Sequence, residues 1–182
     1  ANAQCVTGWT LITPTEALPT ARERFGMVYD SVLHRVVVFG GSQNSGPSGE
    51  TWEWDGANWT LRATTGPSAR SECAMVFDSN RGVAVLYGGS GPGALSDTWE
   101  WNGTAGIWTS IAATGPGARS NAAMAYDAAR AKVVLFGSNN APTSNSETWV
   151  YDGTTHAWTL GATNGSAFIG QTGAPTAFVL EG

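Results

Sequence analysis

The chain has 182 residues, a net charge of −5, only 13% charged residues and as many as 24 glycines. Its length suits one domain with a sizeable core, and the lack of any Lys or Arg run argues against nucleic acid or an anionic membrane as a partner. No apolar stretch reaches the roughly 18–20 residues of a membrane-spanning helix. No segment keeps a 3.6-residue apolar period, so we expect an all-β chain.

The N-terminus begins Ala1-Asn2-Ala3, small residues of the kind found beside signal-peptidase sites, which favours a secreted protein, extracellular or periplasmic. The two cysteines, Cys5 and Cys73, allow two interpretations. They form a disulfide that holds the N-terminal segment in an oxidising compartment. Alternatively, one is a buried thiol and the other is remote from it, because sequence spacing alone does not show proximity.

One motif occurs three times, in residues 20–63, 68–113 and 117–163, which are repeats 1, 2 and 3. The arginines that mark its start stand 48 and 49 residues apart, and so do the methionines of its first strand. These residues are Arg22, Arg70 and Arg119, and Met27, Met75 and Met124. A period of this length indicates a stacked-repeat or propeller architecture.

Each repeat predicts four strands separated by turn residues. The predicted first strands are 25–29, 73–77 and 121–126, the second are 35–39, 82–87 and 132–136, and the third are 50–54, 97–101 and 147–151. The fourth strands begin at Trp59, Trp108 and Trp158. The second strands are near-continuous apolar runs that suit burial on both faces, and each third strand ends at Asp-Gly or Asn-Gly, which favours a hairpin.

Four antiparallel strands laid out radially form a propeller blade. The order of elements, with Gly-Gly after strand two, an aromatic residue on strand three and a Trp after the next turn, resembles the kelch repeat over residues 20–163. The resemblance implies an all-β, kelch-type β-propeller or partial propeller, joined blade to blade by the Gly-Gly backbones and the aromatic–Trp pairs. The Trp-Glu-Trp-Asp-Gly form is most similar to bacterial secreted kelch proteins. Repeat 3 departs from it at Ser138, where the second Gly is missing.

The ends of the chain predict a split or atypical fourth blade, because three blades cannot close a ring of about 4–8. Trp9-Thr10 matches the start of every fourth strand. We therefore expect residues 8–13 to be the outer strand of a blade whose inner strands lie in 165–182. That blade forms within one chain or between chains, and the second case predicts a homo-oligomer through open blade edges.

Seven of the nine tryptophans recur at equivalent positions. A residue that recurs in every repeat performs the same packing role in every repeat. We therefore expect these rings to fill the space between sheets rather than to stack on sugars.

Arg22, Arg70 and Arg119 stand just before the first strands. In kelch domains the turns into this strand and the loops between strands two and three line the usual ligand face, so the resemblance implies three guanidinium groups that could grip a carboxylate. In the alternative interpretation, which the frequency of scaffolding ion pairs favours, each Arg pairs with an acidic residue of its own repeat, such as Glu53 or Glu100, or caps backbone carbonyls.

The loops 42–49, 90–96 and 139–146 differ between repeats while the frame around them stays constant, which is typical of binding loops. Their polar side chains suit hydrogen bonds to a glycan or a protein surface. The candidate ligand-binding residues in these loops are Gln43, Asn44, Ser90, Asn139 and Asn140.

The sequence offers no catalytic constellation and predicts no cofactor. His34 and His156 lie in different turns, which makes a shared metal site improbable, and the aspartates after the first strands are typical turn formers. The first functional hypothesis is therefore a non-catalytic extracellular module that binds a glycan or protein through loops on one propeller face. The alternatives are a self-assembling ring, shell or filament and, third, a metal-dependent kelch enzyme.

Overall fold

The structure, a computed structural model, describes residues 8, 10–111, 113–138 and 147–162. These residues are all-β and contain no helix. The predicted closing strands in 165–182 and the candidate residues Asn139 and Asn140 lie outside the described residues.

Each repeat forms one antiparallel four-stranded sheet whose strands follow chain order. Sheet 1 contains β1 (Gly26–Asp30) and β2 (Arg35–Phe39), then, after the small hairpin of β3 (Ser42–Gln43) and β4 (Gly46–Pro47), β5 (Thr51–Trp54) and β6 (Trp59–Ala63). Sheet 2 contains β7 (Ala74–Asp78), β8 (Val83–Ser90), β9 (Ala94–Asn102) and β10 (Ile107–Ile111). Sheet 3 contains β11 (Ala123–Asp127), β12 (Lys132–Phe136), β13 (Thr148–Asp152) and β14 (Ala157–Ala162). The predicted strands are thus confirmed, with bounds that differ by one or two residues at most ends.

Repeat 2 differs from the prediction in the segment 90–96. Instead of an open loop, β8 and β9 continue their ladder past a bulge, with Gly89 opposite Leu95 and Ser90 opposite Ala94. In repeat 1 the corresponding segment forms the separate hairpin of β3 and β4. Backbone pairing therefore holds both of these variable segments, because a polar loop next to a sheet gains hydrogen bonds by extending it.

Two turn predictions meet different outcomes. The Asp30 side chain accepts the backbone N–H groups of Val32 and Leu33, both at 2.9 Å, as a turn former should. The left-handed residue of the β5–β6 turn is Gly56, at φ 102°, as Asp-Gly predicts. In the equivalent turns of repeats 2 and 3 the left-handed residues are Gly106 (φ 68°) and His156 (φ 55°), because the equivalent aromatic residues there, such as Trp101 and Trp108, are two residues further apart than Trp54 and Trp59.

The three sheets pack face to face in chain order, with sheet 2 in the middle. One core lies between sheets 1 and 2 and a second between sheets 2 and 3. Trp108 packs edge-on against Phe39, and Trp158 against Tyr87, each with ring centroids 5.1 Å apart. The expected role between sheets is therefore confirmed for Trp108 and Trp158, whereas Trp59 lies on the face of sheet 1 that points away from sheet 2.

The Gly-Gly pairs let neighbouring repeats approach backbone to backbone. A Cβ on Gly40 would lie 2.5 Å from the Arg70 carbonyl oxygen, and one on Gly88 would lie 2.5 Å from that of Arg119. The next glycine of each pair then donates its N–H to the same carbonyl, at 2.9 Å in both repeats. Only a residue without a side chain fits such a contact.

The predicted closing blade is described only at its N-terminal side, because its other strands fall in residues 165–182. Of the predicted strand 8–13, residues 8 and 10–13 are described and form no strand, and Leu11 is 92% exposed. Just after this segment the chain contacts repeat 1, where the Thr15 N–H donates to the Asn58 side chain at 3.0 Å. Trp9 lies outside the described residues.

Cys73 is a free thiol, 3% exposed, in the core between sheets 1 and 2. Burial raises the pKa of this thiol to about 11. Its proposed disulfide partner, Cys5, lies outside the described residues. For Cys73 the structure thus corresponds to the buried-thiol interpretation.

Candidate functional site

The three repeated arginines are buried and form ion pairs within their own repeats. The side chains of Arg22, Arg70 and Arg119 are 4%, 0% and 0% exposed. Arg22 pairs with Glu50 at 2.7 Å, Arg70 with both oxygens of Asp97 and Arg119 with Glu147 at 2.8 Å. Pairing within the repeat was the favoured interpretation, but Glu53 and Glu100 are the wrong partners.

The same carboxylates also accept a tryptophan N–H. Trp52 donates to Glu50 at 3.0 Å, Trp99 to Asp97 at 2.7 Å and Trp149 to Glu147 at 2.9 Å. Each repeat therefore contains an Arg–carboxylate–Trp unit. Each Arg also donates to the carbonyl of the first glycine after strand two, at 3.0 Å in repeats 1 and 2 and 3.4 Å in repeat 3. The unit thus connects the segment before the first strand to strands two and three.

These contacts keep the carboxylates ionised. Hydrogen bonds from Arg22 and Trp52 lower the pKa of Glu50. Burial alone would raise the pKa of Asp97, but hydrogen bonds from Arg70 and Trp99 outweigh it, and its pKa is lowered. The pKa of Glu147 is lowered as well, first by Trp149 and then, against the effect of burial, by Arg119. With a carboxylate already bound to each guanidinium, these arginines are poorly placed to grip a second one.

Glu53 and Glu100 connect neighbouring sheets instead. The Glu53 carboxylate, 2% exposed, accepts from Arg35 of its own sheet at 2.8 Å and from the Trp101 N–H of sheet 2 at 3.3 Å. Glu100 accepts from Arg81 at 2.7 Å and from the Tyr151 hydroxyl of sheet 3 at 2.8 Å. Sequence reasoning missed this role. The sequence pattern that could have indicated it is a glutamate at the fourth residue of the predicted third strand in repeats 1 and 2, where repeat 3 has Val150.

An open polar cleft of about 440 Å³ lies beside the variable segment of repeat 1. Its lining residues are Ala21, Arg22, Glu23, Ser42, Gln43 and Asn44. Reciprocal backbone hydrogen bonds between Glu23 and Ser42, at 2.8 and 3.0 Å, fix its two sides. The cleft therefore brings together three of the residues that the sequence predicts to bind ligand: Arg22, Gln43 and Asn44.

The other described candidates, Ser90, Arg70 and Arg119, do not line this cleft. Ser90 occupies in repeat 2 the place of Ser42 and exchanges backbone hydrogen bonds with Ser71, at 2.8 and 2.9 Å. Arg70 and Arg119 belong to the buried units of repeats 2 and 3, so the structure does not gather the six described candidates at one place.

The histidines occupy separate environments. His34 contacts the Tyr29 hydroxyl at 3.1 Å, while His156 lies 3.6 Å from Glu100. Within the described ranges, no group of three or more His, Cys, Asp or Glu residues could hold a metal ion. The same residues contain no helix that could span a membrane.

Comparison with known proteins assigns no family to the chain. No protein-family model matches it, and no curated protein matches it significantly. The kelch resemblance therefore stays a prediction from the Gly-Gly pairs and the aromatic–Trp pattern.

Proposed function

We propose that this protein is a secreted, non-catalytic binding module, built as a kelch-type β-propeller or partial propeller, that binds a glycan or a protein surface at the cleft of repeat 1. The observation that carries the proposal is the convergence of Arg22, Gln43 and Asn44 on that cleft. An extracellular or periplasmic location belongs to the same proposal.

The packing of the sheets supports the propeller. Three four-stranded antiparallel sheets stack face to face, with glycine backbones and aromatic–Trp pairs at each junction. Those are the contacts that the kelch resemblance implies between blades. Successive blades in a propeller meet in this radial manner.

The chemistry of the cleft supports a polar, uncharged ligand. Asn44 is exposed and Gln43 is half-buried, and each amide offers both donors and an acceptor. Glu23, with 72% of its side chain exposed, adds acceptor oxygens. Because Arg22 is neutralised by Glu50, the cleft has no uncompensated positive charge for an anionic ligand. Hydroxyl groups of a sugar, or backbone amides of a protein, match this set of donors and acceptors.

Two screens test the proposal: a glycan array, and an affinity capture in which the captured protein is identified. The dissociation constant of each ligand found is then measured by titration. We expect the double variant Gln43→Ala/Asn44→Ala to bind about 10- to 30-fold more weakly, as the loss of two hydrogen bonds of about 1 kcal/mol each implies. Its melting temperature should not change.

The matched control is Asn80→Ala, which removes an exposed amide from the turn between β7 and β8 and should bind normally. If every ligand found binds the double variant as tightly as the unchanged protein, the cleft is not the site.

A further inference from the structure

Sheets 1 and 3 each present one apolar face on which no described sheet packs. The open face of sheet 1 is defined by the strand register: Val38 and Trp52, which are 4% and 6% exposed, lie among the more exposed Met27, Tyr29, Val36, Trp54, Trp59 and Leu61. The open face of sheet 3 consists in the same way of Ala123, Ala125, Val134, Phe136, Thr148 and Val150.

On each of these faces one large apolar residue is far more exposed than its equivalents inside the stack. Met27 is 50% exposed, whereas Met75 and Met124 are each 6% exposed. Phe136 is 42% exposed, whereas the equivalent residues, Phe39 and Tyr87, are 0% and 1% exposed. A contiguous apolar patch of this kind marks an interaction surface.

The interior of the molecule shows twice how such faces fit together. Trp108 of sheet 2 packs on Phe39 of sheet 1 and donates to Thr51 at 2.8 Å. Trp158 of sheet 3 packs on Tyr87 of sheet 2 and donates to Thr98 at 3.0 Å. The residues that would make the next contact in this series are present on the open faces: Trp59 on sheet 1, and Phe136 and Thr148 on sheet 3.

Trp59 already has the local arrangement of its equivalents. It packs against Trp54 with ring centroids 5.5 Å apart, close to the 5.4 Å of Trp101 and Trp108 and the 5.0 Å of Tyr151 and Trp158. The side chain that would enter the junction is therefore held in place before any partner arrives, which reduces the entropic cost of association.

We infer that the open face of sheet 3 binds the open face of sheet 1 of a second copy of this chain. The contact is head-to-tail, because it joins two different faces. One copy therefore still has its sheet 1 face unused, and the other still has its sheet 3 face unused. Two copies that use both faces close a ring of six sheets, three from each, which falls within the roughly 4–8 blades of closed propellers.

The junction differs from the internal ones at one informative position. Val150 stands where Glu53 and Glu100 accept hydrogen bonds from Trp101 and Tyr151 of the next sheet. The contact between copies therefore lacks the buried carboxylate network and rests on apolar burial. Its affinity should change little with salt concentration, because screening acts on charges.

The experiment measures mass by sedimentation or light scattering over a range of concentrations and at low and high salt. We expect the mass to rise to twice 18.9 kDa, equally at both salt concentrations. Phe136→Glu and Met27→Glu should each weaken association at least tenfold, because each places a charge in the junction. Ile107→Glu, at a 56% exposed apolar residue of sheet 2 outside both faces, is the matched control and should associate normally.

A cross-link tests the register of the contact without relying on destabilising variants. A Cβ on Gly26 would lie 3.1 Å from the Cβ of Met75, so Ala123 of one copy and Met27 of the next should come within reach of a disulfide. In a Cys5→Ser background, a mixture of Ala123→Cys and Met27→Cys should form a linked pair under mild oxidation. A mixture of Ala123→Cys and Ile107→Cys should not.

Two results would overturn the inference. One is a constant mass of 18.9 kDa at every concentration, which would show that the two open faces do not bind each other between copies. The other is association that the Glu substitutions leave unchanged and that gives no specific cross-link, which would place the contact elsewhere.

Discussion

A buried arginine precedes the first strand of every repeat, and its charge is compensated within that repeat. Arg70 shows this best, since it is fully buried and binds both oxygens of Asp97 as well as the carbonyl of Gly88. Asp97 is in turn oriented by the Trp99 N–H. Removing one partner from such a unit leaves the other charge without compensation, which costs far more than losing a surface ion pair.

Arg70→Met should therefore lower the free energy of unfolding by about 1–3 kcal/mol, because it removes the buried donor of the Gly88 carbonyl and of Asp97, whose side chain is 36% exposed. The measurement is urea denaturation followed by tryptophan fluorescence. Arg130→Met is the control, because Arg130 is 77% exposed and pairs only on the surface with Asp127. It should cost less than about 1 kcal/mol. Equal losses for the two variants would contradict a structural role for the buried unit.

The same units make stability depend on pH on the acid side. The pKa values of Glu50, Asp97 and Glu147 are lowered in the folded state, so the unfolded chain binds more protons as the pH falls. This stabilisation is complete above the ordinary pKa values of 4.5 for Glu and 3.8 for Asp, and it is lost as the pH falls through the folded-state values.

We therefore expect these three groups to cause no change in the free energy of unfolding near neutral pH. Below about pH 4.5 they should cause it to decrease. Glu50→Gln should be less stable at pH 7 and should show a shallower decrease in acid, because one of the three groups no longer titrates. Urea titrations at a series of pH values measure both effects. An acid slope equal to that of the unchanged protein would show that Glu50 does not contribute.

At the scale of the strands, each junction depends on a glycine that leaves room for a tryptophan of the next repeat. A Cβ on Gly66 would lie 2.6 Å from the Trp108 ring, and one on Gly115 would lie 2.6 Å from the Trp158 ring. Trp158 cannot retreat easily, since it is held by Tyr87, Tyr151 and Thr98. The Gly-Pro dipeptides after strand four are thus packing residues as well as turn residues.

Gly115→Ala should lower the free energy of unfolding by about 1–3 kcal/mol through overpacking. Gly117→Ala, two residues away, is the matched control, because a Cβ there meets nothing within 4 Å. It should change stability by no more than about 0.5 kcal/mol, as is usual for surface substitutions. Thermal unfolding of the two variants side by side is sufficient, and a control as unstable as Gly115→Ala would rule out the steric explanation.

At the scale of the whole molecule, a repeat is stabilised by its neighbours as much as by its own sheet. The middle sheet has a core on both sides, whereas the outer two sheets each have a core on one side. Equivalent residues of different repeats should therefore contribute unequally to stability.

Phe39→Ala and Phe136→Ala make the same substitution at equivalent positions. Phe39 is fully buried against Trp108, so Phe39→Ala should lower the free energy of unfolding by about 3–5 kcal/mol. Phe136 is 42% exposed, and its loss should cost less than about 1 kcal/mol when measured at a concentration where the protein is monomeric. Comparable costs would mean that a further segment covers the open face of sheet 3 within the same chain.

Much of this organisation is already determined by the sequence. The period, the four strands of each repeat and the aspartate turns follow from local chemistry, since apolar runs, β-branched residues and turn formers act over a few residues. The recurrence of the tryptophans predicts their packing role, because a repeated residue meets a repeated environment. Gln43 and Asn44 are likewise identified as surface residues by their place in a variable polar loop.

Tertiary structure alone decides which groups meet. Glu50 and Glu53 stand three residues apart and so point to opposite faces around β5. Only the stacking of sheets shows that Glu50 pairs with Arg22, whereas Glu53 accepts a hydrogen bond from Trp101 of the next sheet. The extension of β8 through Ser90, and the exposure of Met27 and Phe136 despite their buried equivalents, have the same cause. They depend on which sheet lies beside each face, and a local pattern that is nearly identical in every repeat carries no information about that neighbour.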